Sequence, residues 1–330
     1  MTGLVARRVL RCAVLVPVAA SLGYLLAASA LHPRAAFEGI SPRPPGGAVD
    51  ARLDELNLND ATPLPERYLT WASGVARGDF GRTLDGVPVA AEMGRRIGVS
   101  LRLLAAGAFL GGVAGVAAGT LGAAGQYRPL DRLTTVGALV VLSVPVVVLA
   151  VLLQTAAQWV NDTTGARLFE WTGEYTPAVP GGALDHLGGR LRHLVLPTLT
   201  VALGQFAICS RYQRAMMLDV MRAGFVRTAV AKGLSRRQAL TRHALRVAVI
   251  PAVTFFAYGF AALLAGAAFT EKVFGWHGMG EWLIDAIHRD DVNTVAACTC
   301  FVAVLVPAAG LLSDLARAAL DPRTRACGPR

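Results

Sequence analysis

The chain has 330 residues, 54% of them hydrophobic and only 16% charged, where a soluble domain carries about a quarter charged residues. That shortfall excludes an ordinary water-soluble globular protein, because much of the surface must face something other than water. The net charge of +10 would suit a nucleic-acid partner, but its distribution along the chain follows membrane topology instead, and no nucleic acid is expected.

The apolar residues are grouped into runs, and six of these are long enough to span a bilayer core of about 30 Å as helices. They cover Cys12–Leu31, Val99–Gly122, Leu133–Ala157, Leu194–Met217, Val247–Phe269 and Thr294–Leu312. The expected fold is therefore an all-α membrane protein of six transmembrane helices. Arg7, Arg8 and Arg11 before the first run resemble a secretory signal. The run is longer than a signal core and no small-residue cleavage site closes it, so a retained first span is expected. Residues 1–32 then form the N-terminal tail and first helix, and 33–97 an extracytoplasmic segment that begins with the Pro/Gly-rich Ser41–Gly47. The core transmembrane domain covers 98–318, with a loop at 218–246, and 319–330 make a tail.

Orientation follows from the Lys and Arg count of the connecting segments. With the N-terminus inside, the cytoplasmic segments hold eighteen basic residues and four acids, and the outer ones thirteen and eighteen. Both termini are therefore expected to be cytoplasmic. The second span carries Gly107, Gly111, Gly115 and Gly119, one every four residues, a face that lets a neighbouring helix approach closely. The connection Gln158–His193 carries Trp159, Phe169, Trp171 and Tyr175, suited to an interface or a packed cap.

The loop Asp219–Arg246 is the most informative segment. Phe225–Lys232 has helix formers and a small-residue face at Ala229 and Ala231; Gly233 suits a helix stop, and Lys232 suits the preceding dipole. Ser235 is placed to cap the next helix. A short rigid helix of this kind can dock into a groove on a partner. Composition alone leaves open a basic loop held against anionic lipid.

After the fifth span, Glu271–Asp291 holds Gly275, Gly278 and Gly280, followed by Glu281-Trp-Leu-Ile-Asp-Ala-Ile at amphipathic spacing. Trp276 and Trp282 also suit an interfacial anchor. His277 reads as a turn residue, with no partner pattern around it. The chain holds five cysteines, Cys12, Cys209, Cys298, Cys300 and Cys327. They form neither a disulfide framework nor a CxxC site, and Cys298 and Cys300 read as small buried residues. No metal or cofactor is expected. There is no Gly-x4-Gly-Lys-Ser/Thr phosphate loop, so no ATPase activity resides in the chain itself. Few ionisable groups lie deep in the apolar runs, which argues against a proton-coupled carrier.

The order of residues in the loop is more specific than its composition. Phe225-Val-Arg-Thr-Ala-Val-Ala-Lys-Gly-Leu-Ser-Arg-Arg-Gln-Ala-Leu-Thr-Arg-His-Ala-Leu-Arg resembles the coupling (EAA) segment of dipeptide/oligopeptide/nickel ABC importer permeases. The flanks His193-Leu-Val-Leu-Pro-Thr-Leu-Thr and Ile250-Pro-Ala-Val-Thr agree, as do Gly78-Asp-Phe-Gly-Arg-Thr-Leu, Glu271-Lys-Val-Phe-Gly-Trp and Leu320-Asp-Pro-Arg. The likeness covers about residues 65–325 and points to the B-type subunit. The chain departs from the family at Ala223-Gly224-Phe225, at His32-Pro-Arg-Ala and at Trp276-His277-Gly278. The resemblance implies a type I importer permease in the bacterial inner membrane, a transport subunit with no catalysis of its own. It would pair with a second homologous permease, two cytoplasmic ATPase subunits and an extracytoplasmic substrate-binding protein. It would pass di- or oligopeptides; nickel chelates, oligosaccharides or an ATPase-independent carrier are the alternatives. It also implies that Arg227, Thr228, Ala229, Ala231, Lys232 and Gly233 meet the ATPase, and that the region of Phe274, Trp276, Gly278 and Gly280 helps form the external mouth.

Overall fold

The computed structural model describes residues 2–38, 41, 45–175 and 183–320, leaving out the side chains of 2–8, 183–187, 254–262 and 320. In chain order the helices are α1 (Thr2–Ala30), α2 (Ala35–Glu38), α3 (Gly46–Glu55), α4 (Leu64–Val75), α5 (Val89–Ala124), α6 (Pro129–Ser143) and α7 (Val146–Thr164). Then come α8 (Ala183–Met221), α9 (Gly224–Ala231), α10 (Arg236–Ala239), a π-helical turn at Leu240–Ala244, α11 (Leu245–Phe274), α12 (Met279–His288) and α13 (Val292–Leu320). Among the described residues there is no strand; Arg82 and Pro88 make an isolated bridge.

Four stretches, Val9–Glu38, Val89–Ala124, Gly188–Met221 and Val292–Ala319, are helical and apolar enough to cross a membrane. They take in the first, second, fourth and sixth expected spans. The expected third span, Leu133–Ala157, is two helices, α6 and α7, bent by 111°. Pro145 explains the break: it has no N–H to donate, and its ring forces Val144 into an extended conformation (φ −94°, ψ 125°). The expected fifth span, Val247–Phe269, falls in α11, with the side chains of 254–262 outside the described set. Residues 42–44 of the Pro/Gly-rich stretch, 176–182 of the connection Gln158–His193 and 321–330 of the tail also lie outside the described residues.

The helices fall into two compact units. One comprises the chain up to Leu101 together with His277–Ala308. Its core joins Ala20, Tyr24 and Ala27 of α1 to Leu53, Leu58 and Trp71 and to Val292, Ala296 and Cys300. Tyr24 stacks on Trp71 with ring centroids 4.5 Å apart, the offset geometry that aromatic pairs favour. Gly78–Leu84 is bound to the start of α13. Asn293 Nδ2 donates to the carbonyls of Arg82 (2.9 Å) and Leu56 (3.1 Å). Leu84 N–H donates to Asp291 Oδ2 (3.2 Å), whose carboxylate also caps α13 through Thr294. Gly81 has φ +82°, and a Cβ there would sit 3.0 Å from Asn293 Nδ2. Cys298 and Cys300 are buried on α13, Cys298 facing the Met279 carbonyl.

The other unit comprises Arg102–Trp276 and the chain from Ala309. Within it, α5 approaches α8 closely along the glycine face. A Cβ at Gly107 would lie 2.5 Å from Val201 Cγ1, at Gly111 2.3 Å from the Ala202 carbonyl oxygen, at Gly115 2.7 Å from Cys209 Cβ, and at Gly119 2.4 Å from the Ser210 carbonyl oxygen. Gly112, on the same helix, meets nothing within 4 Å. Further along, Asn161 on α7 folds the following segment back, donating to the Phe169 carbonyl (2.8 Å) and accepting from Leu168 N–H (3.0 Å). Gln154 Nε2 donates to the Trp171 (3.0 Å) and Val273 (3.2 Å) carbonyls, so Phe169 and Trp171 are drawn back toward α7 and the end of α11, while Trp159 and Tyr175 stay exposed.

Gly111→Ala should force α5 from α8 and cost about 1–3 kcal/mol, the usual range for overpacking, seen as a lower thermal midpoint in detergent. Gly112→Ala should leave the midpoint unchanged or raise it, since it only restores helix propensity. Equal midpoints for the two variants would contradict the close contact.

Candidate partner-docking loop

α8 ends at Met221 in a tight turn, with Arg222 N–H donating to the Asp219 carbonyl (3.2 Å) and Ala223 N–H to that of Val220 (3.0 Å). α9 then runs for only eight residues. An isolated helix of that length is not stable in water, so its order must come from its ends and its underside. The C-terminal end is a Schellman motif. Gly233, at φ +93°, donates its N–H to the Val230 carbonyl (2.9 Å), and Leu234 N–H donates to that of Ala229 (3.2 Å). Ser235 immediately opens α10 with a capping box: its Oγ accepts from Gln238 N–H (3.3 Å), and Gln238 Oε1 accepts from Ser235 N–H (3.1 Å). The helix, stop and restart expected from Gly233 and Ser235 are all present.

Val226 and Ala229 form the underside, buried with Ala123 of α5, Met217 of α8, and Ala239, Leu240, Ala244 and Ala248 around the start of α11. The outer face presents Phe225 (46% exposed), Val230 (44%), Arg227, Thr228, Ala231, Lys232 and Gly233. This corrects the expected small-residue face. Positions two apart on a helix lie about 200° apart around it, so Ala231 points out while Ala229 is 8% exposed and turned inward. From Arg222 to Arg246 the chain holds seven Arg or Lys and no acid. The exposed face thus combines the apolar Phe225 and Val230 with the cations Arg227 and Lys232.

The second group of expected site residues is divided between the two units. Phe274 (1% exposed) and Trp276 (4%) close α11 in one unit. Gly275 adopts φ +63°, Trp276 N–H donates to the Glu271 carbonyl (2.8 Å), and Gly173 N–H donates to that of Phe274 (2.8 Å). Gly278 and Gly280 belong to the other unit, at the start of α12, where Met279 N–H donates to Ser100 Oγ (2.8 Å). Trp276 (4% exposed) and Trp282 (8%) are both buried rather than displayed as anchors, Trp282 among Val89, Met279, Ala297 and Cys298. His277 does have a carboxylate beside it: Nδ1 lies 3.3 Å from Glu281 Oε1. Glu281 also takes Arg96 Nη1 at 2.8 Å; Arg96 is held by Glu92 at 2.7 Å and lies over the Trp282 ring at 5.3 Å. The i,i+4 spacings of His277/Glu281 and Glu92/Arg96 were the local signals; the Arg96–Glu281 pairing across the sequence had none.

The sequence profile of the binding-protein-dependent transport system inner membrane component family matches residues 111–326. The oligopeptide transport system permease protein OppB of Mycobacterium tuberculosis is 53% identical over 325 residues, 98% of this chain and 99% of that one. The di/tripeptide transport system permease protein DppB of Pseudomonas aeruginosa is 32% identical over 83% of this chain and 84% of its own length. The oligopeptide permease AppB of Bacillus subtilis is 29% identical over 82% and 83%. A profile match that takes in the docking loop, and full-length likeness to a permease, together place the chain: it belongs to the binding-protein-dependent transport system inner membrane component family.

Proposed function

We propose that the chain is the permease subunit of an ATP-driven importer that carries di- or oligopeptides delivered by an external binding protein. The observation that carries this reading is α9: a helix too short to stand alone, fixed at its C-terminal end by a Schellman motif and capping box, and offering Phe225, Val230, Arg227 and Lys232 outward. The chain has no phosphate loop of its own, so the work must enter from partner ATPases, and α9 is where they dock. Arg227, Thr228, Ala231 and Lys232 make the contact, Gly233 sets the helix's end, and Ala229 holds its underside. The relatives' names favour peptides over nickel chelates or oligosaccharides as cargo.

In this reading six spans cross the bacterial inner membrane: α1, α5, the bent pair α6–α7, α8, α11 and α13. Both termini and the loop lie on the cytoplasmic side, where the positive charge is concentrated, and 33–97 lies outside. A second homologous permease completes the path, two ATPases sit below, and the binding protein docks at the outer face, which includes Gly278 and Gly280. Closure of the ATPases displaces the docked helices and biases the permease pair between its two states.

Gly233→Pro demands φ near −65° where the chain needs +93° and removes the N–H that Val230 accepts. In the reconstituted complex it should cut binding-protein-stimulated ATP hydrolysis by about tenfold or more, about 1.4 kcal/mol or more of activation free energy. Complex assembly should persist, and Gly233→Ala should give a smaller loss. Hydrolysis and uptake equal to wild type would make the loop a lipid-facing segment and remove the importer reading. Phe225→Ala should weaken ATPase-subunit association by about tenfold, the size of an interface anchor's loss. Titrating the ATPase onto permease in nanodiscs measures this, and an unchanged affinity would take Phe225 out of the contact.

A further inference from the structure

The ends of α5 and α8 and the start of α6 meet next to Ala123 and Met217 of the core under α9, and one carboxylate ties them together. Asp131, in the first turn of α6, is 2% exposed. Its Oδ1 accepts from Arg214 Nε at 2.5 Å and its Oδ2 from Arg214 Nη2 at 2.9 Å, a two-pronged pair. Oδ2 also accepts the Tyr127 N–H at 2.9 Å. Arg214 stands on α8 one turn before Met217, which is fully buried in the core under α9. Tyr127 lies in the turn between α5 and α6 and adopts φ +64°, a conformation that a side chain of this size holds only when its surroundings fix it. The approach of the helices is close here too. A Cβ at Gly122 would lie 2.9 Å from Asp131 Oδ1, and one at Gly119 2.9 Å from the Arg214 backbone nitrogen.

The fold of the loop itself does not use this pair, since α9 is held by its caps and by the apolar core. A shielded ion pair is also a weak way to add stability compared with an apolar contact. What the fork does supply is direction, because a planar guanidinium on a carboxylate permits one relative placement of the two helices. We propose that Asp131 and Arg214 are a positioning pair for energy transmission: they lock the ends of α5, α6 and α8 into one body under α9, so that a displacement of the docking helix moves all three together. This rests on the importer reading above.

The test is the reconstituted complex of permeases, ATPases and binding protein, scored for assembly, for ATP hydrolysis and for substrate imported per ATP hydrolysed. Asp131→Asn and Arg214→Gln should each lower import per ATP by about tenfold, within the range of coupling changes along such a connection. The double variant should be no worse than either single, because both remove the same interaction. An unchanged ratio in the single variants, or losses that multiply in the double, would overturn the proposal. Arg214→Lys keeps the cation and loses the fork, so it should assemble and show a partial loss. If the other variants fail to assemble, a wild-type ratio in Arg214→Lys overturns the proposal and a lowered ratio supports it. A wild-type complex with no binding-protein stimulation would sink the importer reading and this inference with it. A stimulated wild type whose variants match it sinks this inference alone.

Discussion

Much in the second unit is referenced to the contact between α5 and α8. Between membrane helices the surroundings are as apolar as the side chains, so association relies on close packing and hydrogen bonding rather than on expulsion of water. Four glycines at intervals of four let α5 lie against the backbone of α8 from Val201 to Ser210. A side chain at any of the four would meet atoms of α8 within 2.7 Å. The core under α9 begins where this contact ends, with Ala123 from one helix and Met217 from the other.

That arrangement gives a short helix a rigid seat. α9 has too few residues to be ordered by its own hydrogen bonds, and no side chain caps its N-terminus. Its C-terminal end is fixed by the left-handed Gly233 and by the Ser235–Gln238 box that restarts the chain in the direction of α11. Two of its eight residues face the core, and the other six are exposed. A force applied to the outer face therefore reaches α5, α8 and α11 through packed side chains rather than through a slack loop.

Features written in local spacing were readable from the sequence. The apolar runs located the helices, and Gly233 and Ser235 marked a stop and a start because each residue type suits one backbone state. The bend at Pro145 was not readable in the same way, although the proline stands in plain view. α8, α11 and α13 run through Pro197, Pro251 and Pro307 without ending, so a proline in an apolar run does not by itself announce a break. The inward turn of Ala229 needed the helical phase that Val226 and Met217 set. Trp276 suited a surface anchor by composition and is instead 4% exposed. The Asp131–Arg214 pair joins residues 83 positions apart and Arg96–Glu281 residues 185 apart, and neither distance leaves a trace in local pattern.

The most direct test places a photo-crosslinking amino acid at Thr228 and, separately, at Ala229 in the assembled complex. Thr228 is exposed and Ala229 buried on the same helix, so one probe reports the partner and the other the loop's own core. A docked α9 predicts that the Thr228 probe joins the chain to an ATPase subunit while the Ala229 probe bonds only within the chain. A Thr228 probe that captures lipid or its own chain and never the ATPase would contradict the docking helix.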